Sequence, residues 1–234
     1  MVCPECGCRS ESVRVSRPWR TRSGGEWLAG VVLTIGGRTI NISSGNSKLG
    51  KIPNVSTVPV KDCANCSWCR KDCYALKAFR MYPSVRAAWR ENSREFRAAD
   101  KSGNWRKMTV EIDHYLEHRT PRFFRIHVAG DFLSQAHVDF WADIAARHPA
   151  VKFLAFTKRH DLDYAATRFT NFTVVFSMFP GMPDTSWPYP KAWMQDGTET
   201  RVPTNAIECP GNCETCGMCF NLQKLQRDVV FAKH

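Results

Sequence analysis

Phe123-Phe124-Arg125-Ile126-His127-Val128-Ala129-Gly130-Asp131 is the stretch on which the fold turns. Aromatic and branched residues dominate it and a Gly-acid pair closes it, so it reads as a strand over Phe123–Ala129 and a turn through Gly130-Asp131-Phe132. Alternation sets Phe124, Ile126 and Val128 on one face and Arg125, His127 and Ala129 on the other. Downstream, Ser134 is placed to cap a helix that ends near His148, before Pro149. Val151–Thr157 reads as a second strand, Asp161–Arg168 as a short helix and Phe172–Met178 as a third strand. This β-α-β-α-β run predicts an α/β fold with parallel strands, as a partial (β/α) barrel or an open parallel sheet, carrying cysteine-rich metal-binding loops.

Parallel strands covered on both faces are normally apolar throughout. Arg125 and His127 inside such a strand therefore point to a lined cavity, or to a buried Arg–Asp pair beside a satisfied His. Gly130 lets a ligand approach the backbone, and Asp131 can accept from an ammonium group. Thr157, Lys158 and Ser177 end the next two strands, at the carboxyl edge where such sheets place ligands. Arg125, His127, Gly130, Asp131, Thr157, Lys158 and Ser177 are thus the candidate cofactor-binding residues.

Working outward, Trp27–Ile35, a Gly36-Gly37 turn and Thr39–Ile42 suggest a hairpin, and Asn46–Val60 a loop. Two apolar stripes, Val85-Ala88-Trp89-Asn92-Phe96-Ala99 and Trp105-Met108-Ile112-Tyr115, predict helices separated at Ser102-Gly103. Residues 179–208, rich in Pro and Trp, read as a long covering loop; Leu222, Leu225 and Val229 mark a short final helix. The expected organisation is a polar tail over 1–25, an α/β core over 26–208 and a C-terminal segment over 209–234.

Eight of the 11 cysteines form two quartets, Cys63, Cys66, Cys69 and Cys73, then Cys209, Cys213, Cys216 and Cys219. The first has the C-x2-C-x2-C-x3-C spacing of a bacterial ferredoxin run; the second is nearly its reverse. Thiolates so spaced converge on one point. Structural zinc more often uses two C-x2-C knuckles set apart by a longer loop, so these compact runs favour one or two 4Fe–4S clusters, with zinc as the alternative at the C-terminal quartet. Four ligands would close the first cluster; three would leave one iron open to a small molecule. Cys3, Cys6 and Cys8 offer three further thiols, short of a full site.

The chain has 234 residues and a formal charge of +11. Two tetrathiolate centres of charge −2 would lower this to about +7. A basic surface remains, which makes nucleic acid a candidate partner. No apolar run approaches the roughly 20 residues of a membrane span, and the N-terminus lacks the apolar core of a signal peptide. A cytoplasmic protein is expected, where clustered cysteines are metal ligands more often than disulfides. No Walker loop, Rossmann glycine pattern or serine nucleophile elbow is present. His114 and His118 share a helix face with Lys107 and Glu111 and read as solvated.

Asn46-Ser47-Lys48-Leu49-Gly50-Lys51-Ile52-Pro53, the cysteines ending Cys73-Tyr74-Ala75, Arg125-Ile126-His127-Val128-Ala129-Gly130-Asp131-Phe132, Phe156-Thr157-Lys158 and the final cysteines resemble the phage family named after mycobacteriophage gene product 88. That resemblance implies host cytosol. A looser one is to radical S-adenosylmethionine enzymes, through a cysteine trio ending in Cys-Tyr, α/β units and a Gly-acidic turn. It implies that Cys69, Cys73 and either Cys63 or Cys66 hold a 4Fe–4S cluster whose open iron chelates S-adenosyl-L-methionine, with Gly130-Asp131 near the amino group. The usual C-x3-C-x2-C order is absent from the first quartet, and only three crossover strands are legible against the six of a typical partial barrel. The rival expectation is a non-catalytic module, stabilised by zinc or a cluster, that binds nucleic acid or a host protein.

Overall fold

The computed structural model describes residues 40–46, 48–71 and 73–232. Residues 27–39 of the expected hairpin, and Cys3, Cys6 and Cys8, lie outside the described residues; Ile40–Ile42, the end of its second arm, form no strand. Seven strands form one sheet: β1 (Asn54–Val55), β2 (Phe123–Ile126), β3 (Lys152–Thr157), β4 (Phe172–Met178), β5 (Lys191–Gln195), β6 (Ile207–Glu208) and β7 (Val229–Ala232). Their order is β1-β2-β3-β4-β5-β7-β6, and every pairing is parallel. The α/β class and parallel sheet expected from the sequence are present, with four strands beyond the three that were legible.

Helices α1 (Tyr74–Met81), α2 (Pro83–Ser102) and α3 (Arg106–Arg119) lie between β1 and β2, and α4 (Gln135–Arg147) between β2 and β3. Gly103, at φ 69°, closes α2 in the left-handed conformation that glycine adopts without strain. Ser134 caps α4 by accepting from the His137 N–H, as expected.

Alternation along the strands feeds two apolar layers. Phe124, Ile126, Phe153, Ala155, Val174 and Phe176 pack with Phe96, Ile112, Leu116, Val138, Trp141 and Ile144 of α2, α3 and α4. On the opposite face Phe123, Leu154, Val175, Ala192 and Val229 meet Leu49, Ile52, Phe220 and Leu222, with Cys209, Cys213 and Cys219 at the margin. Helices thus cover one face, while the other is roofed by residues 48–52 and the C-terminal cysteine segment.

Four expectations are corrected. Asn46–Val60 contains β1, a two-residue strand too short to show a period. Asp161–Arg168 holds only a 3₁₀ turn, Ala165–Thr167. The supposed covering loop supplies β5 and β6. The final helix is a single turn, Leu222–Leu225, and Val229 opens β7. Because β7 inserts between β5 and β6, the C-terminal segment is part of the sheet.

Candidate functional site

The first cysteine loop leaves the carboxyl end of β1 and is stitched across the ends of β2 and β3. Thr57 N donates to Ala129 O (2.9 Å), and Asp131 N to Asp62 O (2.9 Å). Asp62 in turn accepts from Val58 N (2.9 Å) and from the Arg97 guanidinium (2.6 Å). Asn65 Nδ2 donates to Lys158 O (2.7 Å). Cys73 caps α1, its sulfur accepting from Leu76 N at 3.4 Å. The next residue, Tyr74, donates its hydroxyl to Val128 O although 65% of its surface is exposed. Its ring therefore stands in the open at the sheet edge while the hydroxyl is pinned.

All eight described cysteines are reduced and half-buried. Burial pushes the Cys63 thiol up to about 12, against the opposing pull of Lys158. Burial raises Cys69 as well, Lys158 again opposing, with Cys66 and Cys73 adding to the rise. Cys209, Cys213, Cys216 and Cys219 line a single pocket with Ile207, Phe220 and Val229. Burial pushes Cys219 up to about 12, opposed by Arg125, and raises Cys213.

The donor set fits a soft metal by its chemistry: reduced thiols in two groups, one beside the half-buried Lys158 and one beside the buried Arg125. The closed ligand cages expected from the spacing are not formed. Among the described residues no three Cys, His, Asp or Glu side chains converge as a metal site. Neutral thiols have no charge to draw them together; a bound cation supplies that draw and displaces their protons.

The seven other candidates separate. Arg125 projects to the cysteine face, its guanidinium 4.1 Å from the Phe156 ring centroid. Burial, the largest influence on Lys158, lowers its affinity for a proton, and the Asp131 carboxylate beside it more than restores that affinity; Cys69 and Cys63 lie on the same side. Asp131, 1% exposed, accepts from Thr157 Oγ1 (2.6 Å), Phe132 N (2.9 Å) and Lys158 N (2.9 Å). It and Thr157 lock the ends of β2 and β3 to each other, a positioning role. Ser177 lies near the end of β4, in register with Ala192.

His127 is on the opposite face from the one alternation assigned. Its φ of 54° ends β2 at Ile126 and turns the ring among Phe96, Phe132 and His137 on the helix side. Neither ring nitrogen has a hydrogen-bond partner, and burial depresses its pKa to about 4, with Asp131 and Asp62 opposing and Arg125 adding to the fall. His137 is depressed by burial and by His127. The unfolded chain, titrating near 6.5, gains protons that the folded one refuses. Stability is therefore full above about pH 6.5 and falls as pH drops toward 4, by about 1.4 kcal/mol per pH unit for each such group. Urea midpoints between pH 7 and pH 4.5 check this, and His127→Asn, which tolerates positive φ, should flatten the slope.

Gly130 has φ 85°, and a Cβ there would lie 1.9 Å from Thr57 Oγ1. Gly130→Ala is expected to cost about 2 kcal/mol or more, from backbone strain and overlap. Thr57 Oγ1 is buried without a partner, so adding Thr57→Ala should recover the overlap share in thermal melts and leave the strain.

The family model described as Gene product 88 matches residues 33–182. The chain belongs to this family. The matched stretch holds the first quartet and all seven strand-end candidates, and it stops before the second quartet. The chain is similar to the Gene 88 protein of Mycobacterium phage L5, at 24% identity over 225 residues, covering 82% of this chain and 92% of that protein. It is likewise similar to the Gene 88 protein of Mycobacterium phage D29, at 23% identity over 218 residues, covering 79% and 90%. Both relatives are phage-encoded, as the resemblance implied. No solved structure matches. Among the described residues no helix is long and apolar enough to cross a membrane.

Proposed function

We propose that this chain is a small iron–sulfur enzyme of the radical S-adenosylmethionine type. The observation that carries the reading is one of placement. A parallel sheet runs β1 to β5 in chain order, the first cysteine loop follows β1, and that loop is hydrogen-bonded to the Gly-acidic turn after β2. Cysteines of the first quartet would hold a 4Fe–4S cluster at this carboxyl edge. When bound there, the cluster with S-adenosyl-L-methionine supplies reductive cleavage of the sulfonium and a 5′-deoxyadenosyl radical for hydrogen abstraction.

The chain's own residues supply the rest. Gly130, lacking a side chain, lets Thr57 of the first cysteine loop close against the end of β2. Lys158 offers a half-buried cation beside Cys63 and Cys69. The exposed Tyr74 ring offers a flat apolar surface for an adenine. The second quartet would take an auxiliary cluster or zinc and fasten the C-terminal segment. The formal charge of +11 supports a nucleic acid or nucleotide substrate, and phage-encoded relatives support a place in the host cytosol.

The test is anaerobic reconstitution with iron and sulfide, followed by a strong reductant and S-adenosyl-L-methionine. The expected result is a brown protein that releases 5′-deoxyadenosine. Iron binding with no consumption of S-adenosyl-L-methionine overturns the enzyme. A colourless protein with zinc in both sites and steeply salt-dependent nucleic-acid binding would establish the binding module instead.

A further inference from the structure

Arg125 leaves β2 on the cysteine face with only 9% of its surface exposed. Its Nε donates to Ile126 O at 3.3 Å, and its guanidinium covers Phe156. Among the described residues no carboxylate pairs with it. Lys158, the half-buried cation of this face, has Asp131 beside it. A buried charge without a counter-charge costs several kcal/mol, so Arg125 calls for an anion. Phe156, which the guanidinium covers, packs against the same apolar layer as Cys209, Cys213 and Cys219, and the groups that act on the Arg125 charge are the Tyr74 hydroxyl, Cys213 and Cys219, all neutral when protonated. Two of the three belong to the C-terminal quartet, whose four cysteines line one pocket.

We propose that Arg125 is the counter-ion of a dianionic tetrathiolate centre built from Cys209, Cys213, Cys216 and Cys219. This rests on reading that quartet as a metal site. Four thiols and one divalent cation give a centre of charge −2 and four released protons, and a 4Fe–4S core of formal charge +2 gives the same net charge. The positive guanidinium favours the charged, metal-bound state over the neutral thiols. The same strand then serves both cysteine sites. Its carboxyl end meets the first loop through Val128 and Ala129, and in its middle Arg125 covers Phe156 in the layer that Cys209, Cys213 and Cys219 flank.

Cobalt(II) titration of the anaerobic, metal-stripped protein tests this, read by tetrathiolate visible bands and by competition with a chelator. Cys213→Ser identifies the share of the signal that belongs to the second quartet. Arg125→Met is expected to weaken that share about 10–100-fold, the usual effect of losing an outer partner of a metal ligand. Arg125→Lys should retain most of it. The stripped Met variant should melt no lower than the stripped wild type, since it has lost an uncompensated charge; this separates charge from folding. A Met variant that binds as tightly as wild type, or a Lys variant as weak as Met, overturns the role of Arg125. Wild-type bands that do not depend on Cys213 overturn the metal reading of the quartet, and the role of Arg125 with it.

Discussion

Replacing Cys66, Cys69 or Cys73 by alanine is expected to remove the iron of the first site and lower S-adenosyl-L-methionine cleavage at least about a thousandfold, about 4 kcal/mol of barrier. Replacing Cys63 is expected to leave both largely in place. The asymmetry follows from how the loop is folded. Cys69 lies close enough to Cys66 and Cys73 for both to act on its ionisation, and it is joined to Cys66 through the Cys66 carbonyl. Cys63 is acted on, after burial, chiefly by Lys158, with Asp131 ahead of Cys66. Its neighbour Asp62 is tied to the turn after β2, accepting from Asp131 N at 2.9 Å. Three ligands leave one iron open, which the proposed chemistry requires; four would close the cluster. Iron and sulfide content, the visible spectrum and 5′-deoxyadenosine release of the four single variants check this. Equal loss in all four would show a closed cluster and sink the enzymatic reading while sparing the metal one.

The middle of the chain was legible because its elements are long and strongly patterned. Helices α2 and α3 carry largely apolar stripes at helical spacing, and β3 and β4 are near-continuous apolar runs bounded by polar turns. The N-terminal and C-terminal sides of the sheet were not legible for the opposite reason. β1 and β6 have two residues each, and no period exists in two residues. They form because parallel neighbours are already in place: Asn54 and Val55 pair with Arg125 and Ile126, and Ile207 and Glu208 with Val229 and Val230. At the site, Arg125 and Lys158 were found by their unlikely position in an apolar strand or at its end. His127 was assigned to the wrong face because alternation presumes extended backbone, and one residue of positive φ moves the ring to the helix side. Tyr74 was noted only as part of a motif. Its exposed ring depends on α1, a helix that starts at the residue after the cysteine capping it.

Metal removal from the second quartet is expected to be the largest change in stability. The helical turn Cys213–Cys216 is bracketed by Asn212, whose side chain accepts from Thr215 N, and by Gly217 at φ 59°. Gly217 lies so close to Phe123 that a Cβ would approach the ring to 2.8 Å. Glu214 accepts from Lys51 N (2.9 Å), Cys213 N donates to Lys48 O (2.9 Å) and Thr173 donates to Phe220 O (3.0 Å). These contacts hold the segment over β2 and β4, but its own secondary structure is a few short turns, too little to be stable alone. Four metal–thiolate bonds would supply what the backbone does not, and structural zinc in small peptides is worth about 10–16 kcal/mol of apparent binding free energy. Part of that becomes stability of the whole sheet, because β7 lies between β5 and β6 and cannot leave without unpairing both. Cys216→Ala, or stripping with a chelator, should therefore lower the melting temperature by roughly 10 °C, the shift that about 3–5 kcal/mol gives a domain of this size. It should also open the chain to protease beyond residue 208, where the second quartet begins. A stripped wild type that melts with the loaded one would show that the hydrogen bonds to residues 48–51 and to β4 hold the segment by themselves.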